Sequence, residues 1–192
     1  MGLSDRRTTA MASALGIIRG EHRDFARILR LFEELTGDDV TLARAVESGK
    51  IVSIAQFLRG FSSGVHHVRE EILLPALAAK DLSFALSLDE YRKDHAVSYV
   101  LLRKIETALA GARNATGRAR LAEAIREYVG HKRRHIEREE VIFLPLAQRE
   151  LDAATLEAMK AAFAANIGAA TLADWRAELD SLVGPGKPGK GE

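Results

Sequence analysis

Apolar residues recur at three- and four-residue spacing along most of the chain, and strict alternation is rare, so the pattern predicts helix after helix. The first helix, over residues 14–35, aligns Leu15, Ile18, Phe25, Leu29 and Phe32 on one seam. Thr36-Gly37-Asp38-Asp39 reads as a stop followed by a cap, with a short helix after it over 40–48. A second long helix is predicted over 52–79, where Pro75 should kink it or loosen its last turn. A third, over 84–110, carries Phe84, Leu88, Tyr91, Leu102, Ile105 and Leu109, and 111–117 forms a turn. The fourth, over 118–148, carries Leu121, Tyr128, Ile142 and Leu146. Shorter helices follow over 153–165 and 173–182, the latter holding the only tryptophan, Trp175. Long helices joined by short connections imply an all-α fold, an antiparallel up-down four-helix bundle over 14–150 with a C-terminal helical extension over 151–183. Residues 1–13 read as a flexible N-terminus, and the Gly/Pro-rich 184–192 as a disordered tail.

Polar residues interrupt these seams at mid-length. His22 lies between Ile18 and Phe25, and His95 replaces an apolar residue on the third helix. The other two helices carry the same word: His66-His67-Val68-Arg69-Glu70-Glu71 and His135-Ile136-Glu137-Arg138-Glu139-Glu140, each followed by an apolar run ending in proline. An offset of four places imidazole and carboxylate on one helix face. A single pair of this kind is ordinarily a surface feature. Repeated on two seams, with His22 and His95 on the other two, the pairs can converge at one level of the core. Two buried carboxylates are costly unless paired or metal-bound. Two divalent cations would neutralise them, and an imidazole/carboxylate set suits iron, manganese or zinc. His131, one turn before His135, is a further ligand, a proton relay behind the ligands or a packed histidine.

Composition narrows the reading. The chain has no cysteine, which excludes disulfides, thiolate zinc sites and cysteine-ligated clusters. Its formal net charge of +1 gives no global field for nucleic acid or acidic membrane. Lys132-Arg133-Arg134 with Arg138 is interrupted by Glu137, Glu139 and Glu140, and reads as a solvated helix face. With no apolar run long enough to span a bilayer and no signal-peptide core, a cytoplasmic protein is expected.

Taken together, Glu21-His22, His66-His67-x-x-Glu70-Glu71, Asp94-His95 and His135-Ile136-x-x-Glu139-Glu140 with Phe143-Leu144-Pro145 resemble the hemerythrin-like proteins of the HHE cation-binding class, over roughly residues 14–150. The resemblance implies a four-helix bundle holding two iron ions in a non-haem, oxo- or hydroxo-bridged centre, with manganese or zinc as alternative metals. It implies the ligands His22, His66, Glu70, His95, His135 and Glu139. It also implies binding of a small diatomic gas (dioxygen or nitric oxide) or of peroxide, for sensing, storage or detoxification, with a redox partner protein. The alternatives on the same site are an enzyme that decomposes peroxide or reduces nitric oxide, and an iron donor for repair of iron centres; a metal-free structural bundle is the rival from another class. One departure stands out. Where oxygen-carrying hemerythrins place a second histidine four residues after the one on helix three, this chain has Tyr99. That leaves an iron with an open position, or makes Tyr99 a phenolate ligand or hydrogen-bond donor. His67 reads as exposed or outer-sphere, with a ligand role as the alternative.

Overall fold

The computed structural model describes residues 13–167 and 169–184. The predicted flexible start and C-terminal tail therefore lie outside the described residues, apart from Ser13 and Gly184. Among the described residues the chain is helical, with no strand, and no helix is long and apolar enough to cross a membrane.

Helix α1 spans Ala14–Leu35, and every residue of its predicted seam is buried. Its first turn is capped by Ser13, whose hydroxyl accepts from the Gly16 amide. The expected stop and cap follow: Asp38 accepts from the Thr41 amide and opens α2, Asp39–Glu47. Helix α3, Lys50–Phe61, continues through a π-turn over Ser62–His66 into α4, His67–Ala78, so Pro75 lies inside a helix that runs three residues beyond it. The predicted third helix is broken: α5 is the single turn Leu82–Ala85, and α6, Leu88–Ala110, starts after it. Helix α7, Ala115–Arg138, opens on the Asn114 cap three residues earlier than predicted. A close approach fixes glycine at 117, since a Cβ there would lie 1.9 Å from the Gly111 carbonyl oxygen. A second π-turn over Glu139–Phe143 leads into α8, Leu144–Glu150. Helices α9, Ala153–Asn166, and α10, Ala169–Val183, complete the chain.

The second π-turn corrects the predicted seam. Ile142 is 52% exposed, whereas Phe143 is fully buried. A π-turn carries one extra residue, so the inward position passes from 142 to 143. The turn also precedes Pro145, whose missing N–H could not have served the Val141 carbonyl in an α-helix.

Helices α6 and α7 pack along one another, α7 also lies against α1, and α3 and α4 both contact α6. The hydrophobic interior falls into two clusters rather than one. The first gathers Phe25, Phe32, Phe61, Val65, Leu102, Ile105, Leu121 and Tyr128. The second gathers Ile18, Leu73, Leu77, Tyr91, Phe143 and Leu144. In each rod, the residues that separate one cluster from the other are the histidines and glutamates singled out above. Helix α10 lies on α1 and α3 and adds Leu179 to the first cluster, with Trp175 seated against Gly60, Phe57 and Phe61.

Candidate metal centre

His22 comes from α1, His66 from the end of the first π-turn, His67 and Glu70 from α4, His95 from α6, His135 from α7 and Glu139 from the start of the second π-turn. Their side chains meet in the polar layer between the two apolar clusters. Two groups form, each with donor atoms within 4.8 Å of one another. One comprises His22, His66, Glu70 and Glu139; the other comprises His67, Glu70, His95 and His135.

Each carboxylate divides its oxygens between the groups. Glu70 Oε1 is 3.1 Å from His66 Nε2, and its Oε2 is 3.0 Å from His95 Nε2. Glu139 Oε1 is 3.0 Å from His135 Nε2, and its Oε2 is 3.2 Å from His22 Nε2. These separations would suit hydrogen bonds, but the angles do not. Among the described residues, the Nε2 atoms of His22, His66, His67, His95 and His135, both Glu70 oxygens and Glu139 Oε2 are buried without a hydrogen-bond partner. Buried polar atoms rarely stand unpaired. Buried imidazole nitrogens and carboxylate oxygens that converge at about 3 Å without pairing are a donor set that would hold a cation. The residues present therefore fit a pair of metal ions.

The other imidazole nitrogens set the tautomers. His22 Nδ1–H donates to Glu140 at 2.7 Å, and His66 Nδ1–H donates to Glu21 at 2.9 Å. Each ring is thereby left with a bare Nε2 aimed at the centre. His135 Nδ1 lies 3.5 Å from Asp94, a longer contact. Every one of these carboxylates is held in turn by a guanidinium: Arg19 on Glu140, Arg69 on Glu21 and Arg138 on Asp94. His22, followed by Arg19, keeps the Glu140 carboxyl below its ordinary range, and His135 and Arg138 do the same for Asp94. Burial pushes the Glu70 carboxyl up, but His66 and His95 outweigh it and hold that group well below the ordinary value. Burial, then Lys132, drives the His67 and His135 imidazoles down, which favours neutral rings with free lone pairs.

All six residues expected as ligands are brought together. His67 joins them, its ring stacked flat on that of His95 at 3.8 Å. Adjacent helical residues diverge in direction, so His66 and His67 serve different groups. Tyr99 does not reach the site. It is 49% exposed, with Arg59 over its ring and against its hydroxyl. Ser98 takes the buried position in its place. His131 is in neither group; its Nε2–H donates to the Asp94 carbonyl at 3.1 Å, with Ser98 Oγ at 3.0 Å. Lys132 corrects the expected solvated face: its side chain is fully buried, with the amine 4.4 Å over the Phe25 ring. The acids Glu21, Asp94 and Glu140 had a legible signal, since each stands beside an expected ligand in the chain. Their partners, however, are on other helices.

Among curated proteins and among solved structures, no match to the chain was found. The family model described as the hemerythrin HHE cation-binding domain matches residues 13–147, the stretch that contains the whole polar layer. The chain therefore belongs to the hemerythrin HHE cation-binding family.

Proposed function

We propose that this protein holds two iron ions and uses them to bind dioxygen, nitric oxide or peroxide. The observation that carries the reading is the division of Glu70 and Glu139 between two imidazole groups, as expected of carboxylates bridging two cations. In this reading His22 and His66 hold one ion, and His67, His95 and His135 hold the other. Donors without sulfur suit iron, with manganese and zinc as the alternatives. The two sets are unequal, and the ion held by two imidazoles has fewer protein donors. A bound ferrous pair would supply a vacant coordination position there, and electrons for the small oxidant.

The chain's own contribution is orientation and exclusion of water. Glu140 and Glu21 fix the rings of His22 and His66, while Phe25, packed 4.9 Å from the His66 ring, closes the core on that side. The proposal includes an up-down topology for the four rods. The early residues of α1 and α6 share a cluster with the late residues of α4 and with α8, and the late residues of α1 and α6 share the other with the early residues of α3 and α7. That alternation is what chain reversal at each connection produces.

The test is elemental analysis of freshly purified protein, joined to its optical spectrum. About two irons per chain are expected. His135→Ala or Glu139→Ala should abolish binding of at least one. Unchanged metal content in both variants would overturn the assignment. A stable absorption band on mixing the reduced protein with air would identify a carrier, and rapid oxygen evolution from peroxide an enzyme.

A further inference from the structure

Beside the metal centre lies a second concavity. A cavity of about 380 Å³ opens between α1, α3, α4 and α10. Its charged lining is Glu21, Arg69, Arg23, Asp24 and Arg176, and its aromatic wall includes Phe61 and Trp175. Three guanidinium groups thus face two carboxylates. Arg69 is only 5% exposed, and its Nη1 is engaged by Glu21 while its Nε is buried without a hydrogen-bond partner among the described residues. Arg176 is itself largely exposed, with only a 3.4 Å contact to Asp24.

We infer that this cavity is a binding site for a small organic carboxylate with an apolar body, and that its occupancy is communicated to the metal centre. Arg23, Arg69 and Arg176 bring guanidinium groups to the wall of the cavity, and guanidinium N–H groups suit a carboxylate. Phe61 and Trp175 offer the surface for the hydrocarbon part. Communication runs through one chain of contacts: Arg69 holds Glu21, and Glu21 accepts from His66 Nδ1. An anion on Arg69 draws part of the guanidinium's charge away from Glu21. Glu21 then accepts more strongly from His66, which raises the basicity of the ligating nitrogen. Metal and carboxylate should therefore strengthen each other's binding, reciprocally. This second half rests on the metal reading above; the anion site does not.

The chain has one tryptophan, so its emission reports on this cavity alone. Hexanoate titrated into metal-free and metal-loaded protein should give a saturable change in Trp175 emission, with Kd on the order of 0.1–1 mM. Hexanol, with the same body and no charge, should not. Gly20→Leu should fill the cavity, since a Cβ there meets only the end of Arg23, at 3.7 Å, and leucine favours the helix. That variant should lose the response, and Arg176→Gln should weaken it by roughly fivefold. An absent response, equal binding of hexanol, or an unchanged response in Gly20→Leu would overturn the site. Saturating hexanoate should tighten metal binding in chelator competition by roughly threefold. Hexanoate binding with no such shift would overturn the communication. A chain that binds no metal yet still takes up hexanoate would sink the metal reading and leave the anion site standing.

Discussion

At the scale of single residues, Lys132 sets the sharpest constraint. Its amine is buried with no hydrogen-bond partner, three positions before His135. Burial pushes the ammonium down, while Glu139, Glu70 and Asp94 draw it back. Without metal, this amine helps to offset the charge of Glu139 and Glu70. With metal bound, it would be a like charge beside the ions. Lys132→Met should therefore lower the thermal midpoint of the metal-free protein and tighten binding of a divalent cation by on the order of tenfold. Chelator competition reads the second effect; unaltered affinity would mean that the amine does not compete for the carboxylates. His67 and Tyr99 separate in the same way. His67→Ala should lower the metal content, and Tyr99→Phe should leave it unchanged, both by elemental analysis. The six expected ligands were legible because a four-residue offset on one helix is a local property. The inward turn of His67 and the burial of Lys132 depend on which neighbouring helix faces them, and no spacing within one helix encodes that. Lys132 also sits in a basic run that by composition looks solvated.

At the scale of elements, the cap at Asp38 was readable, whereas the cap at Asn114 and the irregular turns were not. Asp38 and the acid opening α9, Asp152, each accept from the amide three residues on. The Thr155 amide, and then its hydroxyl, hold the Asp152 carboxyl below its ordinary 3.8. A carboxyl lowered by folding stabilises the fold above its unfolded value, and that contribution disappears as pH falls through the folded value. Asp152→Asn keeps a capping acceptor that does not titrate. Its thermal midpoint should therefore fall less steeply than the parent's below about pH 4. Equal slopes would show that the cap is not a source of the acid sensitivity. The π-turns at Ser62–His66 and Glu139–Phe143 each adjoin a His/Glu word. Neither has a residue signature of its own. The second turn was visible only through its result, the exchange of Ile142 for Phe143 on the seam.

For the whole molecule, the decisive feature is an interior split by a polar layer. Helix content, the main boundaries and the level at which the histidines meet could be read from periodicity, because each rod carries its polar break at mid-length. The seating of α10 could not, since it rests on Trp175 finding the gap left by Gly60. Two apolar clusters with charges between them leave the middle of each rod to be stabilised by a cation in the proposed centre. Anything that binds only the folded chain stabilises it by mass action. Chelation should therefore lower the thermal midpoint and speed amide exchange around 22, 66, 95 and 135 before it does so near Phe32 or Phe143. Uniform exchange along the rods after chelation would count against this.

The shared oxygens of Glu70 and Glu139 carry one more consequence. In the proposed centre the two positions share carboxylates, since Glu70 belongs to both groups and Glu139 lies against both His22 and His135. The first ion thus prepares the seat of the second. Uptake should be cooperative, with native mass spectra at half-saturating iron dominated by empty and doubly filled chains. An abundant singly filled species would mean that the two seats act independently.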